Sequence, residues 1–346
     1  MRTIKRCLKF MILGLSVLAG TAYAEWQALP DTAPAPKDNP TTPEKVELGK
    51  MLYFDKRLSR TGTVSCQSCH NVMEGGDDSR PTSVGVEAQL GPRNAPTVFN
   101  SAFHAAQFWD GRAASLEEQA KGPVTNPVEM GMSDTSVAVE RIRQLDGYAS
   151  YFNAAFGTDE ITFDRIAQAI AAYERTLITP DTPYDRFVKG DGEALTARQQ
   201  RGMKTFAAVG CQACHSGANF SGQMDPGAPL TLQKFPVFAS SRFVEEYGLM
   251  EDQGRFKSTG KEADKHMWKV PTLRNIALTA PYFHNGKVNT LEEAVRVMGS
   301  TQLNRDLSDQ QVADIAAFLG SLTGKGLKQT MPQLPPTPGG MLSNSQ

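Results

Sequence analysis

Past its first 24 residues the sequence has no long apolar run, no basic cluster and no sustained period-two alternation. A membrane-spanning helix needs about 18 or more consecutive apolar residues, and no such stretch exists in the remainder of the chain. Basic and acidic side chains nearly balance, 36 against 37, and with no basic patch this excludes a nucleic-acid partner. Aromatics are sparse at 8%, yet 40% of the 346 residues are hydrophobic. That is enough for buried cores, and it excludes disorder, collagen and coiled coil. The length accommodates two domains of roughly 150 residues.

What the chain does have begins with a leader. Arg2, Lys5, Arg6 and Lys9 precede the apolar run Phe10 to Ala19, followed by the small-residue pattern Ala22-Tyr23-Ala24. This is the pattern of a cleaved secretory signal peptide, residues 1–24, too short for a span. No cysteine follows the cleavage point, so no lipid anchor is expected there. Export to the periplasm is expected, and losing the four basic leader residues takes the formal charge from −1 to −5.

Cysteine is scarce, and its placement carries the chemistry. Cys7 leaves with the leader, and four remain: Cys66, Cys69, Cys211 and Cys214. Four cysteines in an exported chain would first suggest two disulfides, and a C-x-x-C pair can also form half of a zinc site. Each pair, however, is followed at once by histidine, in Cys66-Gln-Ser-Cys69-His70 and Cys211-Gln-Ala-Cys214-His215. This is the attachment pattern of c-type haem: two thioether bonds hold the macrocycle and the adjacent histidine reaches the iron. Two such motifs consume every mature cysteine, so two covalent haems are expected.

Helical spacing dominates between the termini. Thr162 precedes Ile166, Ile170, Tyr173 and Leu177, and capping-box patterns stand at Ser115/Glu118, Thr196/Gln199, Thr290/Glu293 and Ser308/Gln311. The expected fold class is all-α, as two tandem class I cytochrome c-like domains. Residues 25–180 and 181–328 form the two halves, divided at Thr179-Pro180-Asp181-Thr182-Pro183, where the prolines end the long helix. Residues 25–43 read as an extended arm, and 329–346 as a Pro-rich tail with no core of its own.

The halves repeat. Pro96-Thr97-Val98-Phe99-Asn100 returns as Pro271-Thr272-Leu273-Arg274-Asn275. Twelve residues beyond each proline stands Phe-Trp-Asp-Gly-Arg or Phe-His-Asn-Gly-Lys, and twenty beyond it Leu116-Glu-Glu or Leu291-Glu-Glu. This is a tandem duplication. The second copy carries about 30 extra residues within 216–270, an insertion to which the pattern assigns no role.

Where duplicated domains diverge, function separates. Met298 falls at the position of Pro123 in the first copy. A thioether can ligate haem iron from the side opposite the histidine, whereas proline has no donor. One haem would then be His/Met-ligated and the other open, although Met298 can equally be a core methionine. Gln119 replaces Ala294, and Glu129 lies on the same divergent segment. A carboxylate beside an open haem can move the proton that O–O cleavage needs, with an amide holding the peroxide; the alternative for Glu129 is a solvated surface residue. Trp109 replaces His284, either as a relay between haems or as a core residue.

Together these residues resemble the bacterial dihaem cytochrome c peroxidases from about Glu47 to Leu322. The likeness includes Leu48-Gly49-Lys50, Gly91-Pro92-Arg93-Asn94-Ala95-Pro96-Thr97, Gln107 to Arg112, Asn126-Pro127-Val128-Glu129-Met130, Leu278 to His284, and Met298-Gly299. The resemblance implies His70 as proximal ligand of a peroxidatic haem, and His215 with Met298 on a high-potential haem. Glu129 would be the acid/base, Gln119 its partner at hydrogen peroxide, and Trp109 the inter-haem tryptophan. A calcium ion is implied at Asn94, Thr279 and Pro281, whose oxygens suit a hard cation. A small soluble cytochrome c or cupredoxin is implied as electron donor, and a homodimer as the assembly. The rival activities on this scaffold are a non-catalytic dihaem carrier and an oxidase of a protein substrate. Enzymes of the latter kind, which mature methylamine dehydrogenase, have tyrosine where Met298 stands.

One departure stands out. Many relatives carry histidine after Ser-Val-Gly, capping the oxidised peroxidatic iron, and here Ser83-Val84-Gly85 is followed by Val86. Valine cannot ligate iron, so the peroxidatic haem is expected to be open in the oxidised protein. His104 is a substitute only if its loop reaches the iron.

Overall fold

The structure, a computed structural model, describes residues 26–222, 230–325 and 328–337. The leader and Pro338 therefore lie outside the described residues. Among the described residues no helix is long and apolar enough to cross a membrane.

The first half opens with α1 (Pro43–Phe54), started by Thr42, whose hydroxyl accepts from the Lys45 N–H, and by Pro43 in the first turn. Then come the single turn α2 (Cys66–Cys69), α3 (Leu116–Thr125), α4 (Thr135–Arg143), α5 (Asp146–Phe156) and α6 (Phe163–Glu174). The second half contains α7 (Pro183–Val188), α8 (Ala197–Val209), α9 (Arg242–Glu246), α10 (Phe256–Thr259), α11 (Leu291–Leu303) and α12 (Asp309–Gly320). Helix α1 packs on α6 and α8 on α12, each pair crossing at a glycine. A Cβ on Gly49 would run into the Ala169 carbonyl and the Tyr173 Cβ; one on Gly202 would run into the Asp314 carbonyl and the Phe318 Cβ.

The repetition extends to backbone conformation. Asn100 and Asn275 are both left-handed (φ 62° and 60°), as are Phe108 and Phe283 (67° and 69°). The isolated bridges Gln107–Ala113 and Tyr282–Val288 match. Both asparagines converge on one residue of the linker, since Thr179 Oγ1 accepts from Asn100 Nδ2 at 2.9 Å and from Asn275 Nδ2 at 3.0 Å.

All four expected caps form. Of these four, Thr196 and Ser308 close the reciprocal box. At Ser115 and Thr290 the glutamates are drawn elsewhere, Glu118 to Lys121 and Glu293 to the Tyr247 hydroxyl. Two expectations need correction. Helix α6 stops at Glu174, before Leu177, whose carbonyl instead accepts from Asn100 N–H at 2.8 Å. Leu177 still reaches the first core, but from outside the helix. Nor is the chain wholly helical: the insertion carries β1 (Leu232–Lys234) antiparallel to β2 (Met267–Lys269), each too short to show alternation in sequence.

The terminal segments cross between the halves. Trp26 stacks edge-on against Tyr184 and Phe318 of the second half, and Leu29 N–H donates to Asp185 Oδ1 at 2.9 Å. From the other end, the Pro335 carbonyl accepts from Arg57 at 2.7 Å, and Leu334 packs on the first core.

Candidate functional site

Cys66, Cys69, Cys211 and Cys214 form no disulfide with one another. Cys66 opens α2 behind Ser65, whose capping box with Ser68 sets the turn. The turn returns His70 N–H to the Cys66 carbonyl at 2.9 Å, and His215 N–H reaches the Cys211 carbonyl at 3.0 Å in the same way. His70 Nδ1 lies 3.0 Å from the Pro96 carbonyl, and His215 Nδ1 3.0 Å from the Phe220 carbonyl. A carbonyl only accepts, so each Nδ1 carries the proton and each Nε2 keeps a lone pair, the form that ligates iron. Burial lowers both imidazole pKa values and favours that neutral form. The Tyr53 hydroxyl adds a bond to the His70 carbonyl at 2.7 Å.

A cavity of about 340 Å³ lies over the first motif, lined by Cys66, Cys69 and His70 together with Gln119, Pro123 and Glu129. The sequence of α3 explains the polar part of this wall. Pro123 sits inside the helix without an N–H to offer the Gln119 carbonyl, and α3 ends at Thr125. Its counterpart α11 runs on to Leu303, three residues past the position matching Thr125. Beyond α3 the chain folds back on the proline, whose carbonyl accepts from Asn126 N–H at 3.3 Å and Met130 N–H at 3.1 Å, and this turn carries Glu129. Asn126 Nδ2 holds Glu129 Oε1 at 2.8 Å. Burial raises the Glu129 pKa, with Arg112 partly offsetting it.

Val86 is fully buried in the first core, and its N–H donates to the Glu129 carbonyl at 2.9 Å. Ser83 and Gly85 reach the cavity wall, and Val86 does not. His104 is corrected outright as a substitute for the missing histidine. It is buried on the wall of a second cavity, about 180 Å³, with Cys214 and Lys269, and is absent from the first. Neither His215 nor Met298 is on the wall of that second cavity. Lys269 is half-buried there, its pKa pushed down to about 8 by desolvation, and its ammonium could hold an anionic edge of a bound macrocycle.

Sequence reasoning missed the contribution of the insertion. Asp252, Lys257 and Ser258 line the first cavity beside Arg93, Asp110 and Arg112. Arg93 bridges Asp252 and Asp110, at 2.8 Å each, and Ser258 donates to Asp110 at 2.9 Å. Burial alone would raise both carboxyl pKa values, but the Arg93 bonds hold them down, Asp252 to about 2. The only sequence signal was the Asp110 and Arg112 pair where the other copy has Asn285 and Lys287. Arg93, Arg112 and Lys257 are cations that could hold haem carboxylates.

Trp109 also lines the first cavity, and it packs against the same apolar cluster as Met298 of α11. Its Nε1 donates to the Asn94 carbonyl at 2.8 Å, and its own carbonyl accepts from Lys269 N–H at 2.9 Å. Asn94 joins the halves, with its N–H on the His284 carbonyl and its Nδ2 on the Arg80 carbonyl, both at 2.8 Å. Thr279 and Pro281 lie on the loop that leads to His284. Among the described residues no group of three or more His, Cys, Asp or Glu is set to hold a metal ion. One orphan stands beside this loop. Asp77 Oδ1 is buried without a partner, and both it and the Leu278 carbonyl lie within 2.8 Å of where a Gly75 Cβ would stand. Burial pushes the Asp77 pKa up to about 6, so a cation near it would relieve an uncompensated charge.

A family model for the di-haem cytochrome c peroxidases matches residues 43–193. The cytochrome c551 peroxidase of Pseudomonas aeruginosa is 46% identical over 91% of this chain and 88% of its own. That of Nitrosomonas europaea is 44% identical over 96% of both chains. Among solved structures, a MauG-like protein associated with microbial copper homeostasis superposes with a TM-score of 0.76, at 33% identity, over 86% of this chain and 95% of its own. With the paired haem-attachment motifs and the polar cavity over the first of them, these likenesses make the chain a peroxidase of the di-haem cytochrome c peroxidase family.

Proposed function

We propose that the protein reduces hydrogen peroxide to water in the periplasm, drawing electrons one at a time from a small soluble cytochrome c or cupredoxin. Two tandem domains would each carry one c-type haem, bound through Cys66 and Cys69 with His70, and through Cys211 and Cys214 with His215 and Met298. The observation that carries the reading is the shared wall of His70, Gln119 and Glu129 around one cavity that Pro123, the counterpart of Met298, also lines. When bound, the haem iron supplies the electrons and the coordination position at which the peroxide bond is cleaved. Glu129 accepts the proton of one peroxide oxygen and returns it to the other, so that the departing oxygen leaves as water. Burial raises its pKa, which makes the carboxylate a stronger base for the first transfer. Gln119 orients the peroxide by hydrogen bonds. Trp109, between the first cavity and the cluster beneath Met298, is the path for electrons between the halves.

Val86 leaves the first haem without a protein-derived cap, so the oxidised enzyme turns over without prior reduction. A calcium ion at Asn94, Thr279 and Pro281 fits the orphaned Asp77 carboxylate beside that loop. Oxidation of a protein substrate is the rival suggested by the MauG-like likeness, and Met298 in place of tyrosine disfavours it.

The deciding experiment mixes peroxide and reduced cytochrome c with the fully oxidised protein. Immediate cytochrome oxidation is expected. Silence from both the oxidised and the half-reduced protein overturns the peroxide reading, whereas activity only after half-reduction overturns the open site alone.

A further inference from the structure

Besides Glu129 and the Arg93-paired Asp110 and Asp252, the first cavity has a further carboxyl to which peroxide cleavage gives no role. Glu174, the last residue of α6, is buried, lines the cavity with Cys66 and Glu129, and leaves its Oε2 without a hydrogen-bond partner. The two halves differ at this point. The glycine crossings pair Tyr173 with Phe318, so the next position pairs Glu174 with Leu319, a buried core residue of the second half. A position filled by an apolar side chain in one copy thus carries an acid in the other, at a desolvation cost that leucine does not incur.

The charged and titratable groups around it are few. Arg175 follows it in the chain, with Nη2 on Glu117 at 2.7 Å and Nη1 unpartnered. Glu117 comes from α3, Tyr53 from α1, Cys66 from α2, and Tyr173 from α6 itself; Lys45 of α1 acts on Arg175 and Glu117. Burial dominates: it raises the Glu174 pKa to about 8 against the pull of Arg175, with Glu117 adding to the rise.

We propose that Glu174 is the charge-compensating proton site of the first haem, protonated when the iron is reduced and deprotonated when it is oxidised. This rests on the reading that the cavity holds a haem. The step balances: one electron enters the iron, one proton passes from solvent to the carboxylate to form its O–H bond, and the net charge of the site does not change. Oxidation runs the reverse. The sign follows from electrostatics, because the extra positive charge of the ferric site favours the carboxylate. The carboxyl pKa is therefore lower with oxidised than with reduced iron, and coupling occupies the window between the two. Glu174 is a positioning residue for charge rather than a group that touches peroxide.

The test uses the holoprotein with both haems, whose optical spectrum and peroxide turnover are recorded first. The potential of the first haem is then titrated from about pH 6 to about pH 10. In the wild type the potential is expected to fall with rising pH through the coupling window. Glu174→Gln should remove one proton per electron from that slope, while Glu129→Gln leaves this component in place. Equal slopes in wild type and Glu174→Gln overturn the proposal. A second measurement needs no variant: the reduced-minus-oxidised infrared spectrum should gain a carboxylic-acid band that shifts in heavy water, and its absence also overturns the proposal. A preparation lacking two haems or peroxide turnover refutes the underlying reading, whereas a working two-haem peroxidase with unchanged slope refutes only the role of Glu174.

Discussion

Replacing Glu129 by glutamine removes a proton-transfer group while leaving its shape and most of its contacts. The carboxylate makes one side-chain hydrogen bond, from Asn126 Nδ2 at 2.8 Å, which an amide oxygen accepts equally well. No salt bridge is lost, and burial already favours an uncharged group at this site. The stability change should therefore stay within about 1 kcal/mol. Activity should change far more. A positioned acid/base is typically worth about 10²–10⁴ in rate, or about 3–5 kcal/mol in the barrier, and kcat/KM for peroxide should fall by that factor. The pH profile adds an independent signature. The carboxylate form accepts the peroxide proton, so wild-type kcat/KM should decline as pH drops through the raised Glu129 pKa, and the variant should lack that limb. Stopped-flow oxidation of reduced cytochrome c measures both. A variant within about threefold of wild type with an unaltered acid limb would remove Glu129 from the mechanism.

Electron paramagnetic resonance of the oxidised protein should show one high-spin ferric haem, because Val86 is packed in the core and His104 lines the other cavity; two low-spin signals alone would refute the open site. Calcium should bind the resting protein, and Asp77→Asn should weaken it about tenfold by calorimetry, since it removes the orphaned buried charge; equal affinity would sever Asp77 from the site. Arg274→Met breaks a fully buried pair with Asp185, 2.8 Å apart, and should cost about 3–5 kcal/mol in denaturant unfolding; a loss under about 1 kcal/mol would contradict the burial argument.

The readable parts of this protein were those encoded in short stretches of chain. A haem-attachment motif needs five consecutive residues, a helix cap four, and the duplication declares itself through a fixed offset. Side chains whose role depends on distant partners stayed hidden. Asp252, Lys257 and Ser258 reach the first cavity from the other half of the chain, through bonds spanning more than a hundred residues, such as Arg93 to Asp252. His104 shows the same limit from the opposite direction: it lies in the first half of the sequence and faces the second cavity. Leu177 keeps its apolar contact with the first core but makes it from outside α6, which ends at Glu174.

The divergence of the two halves turns on one backbone donor. At the position of Met298, Pro123 offers neither a side-chain ligand nor an N–H, and these two deficits act together. The side chain places no donor at this point of the cavity wall, and the missing N–H coincides with the early end of α3 and the turn that brings Glu129 to that wall. A glycine at this position would empty the site as well, but it would keep its N–H and allow the helix to run on as α11 does. Proline at this one position thus joins the absence of a side-chain donor to the turn that carries Glu129.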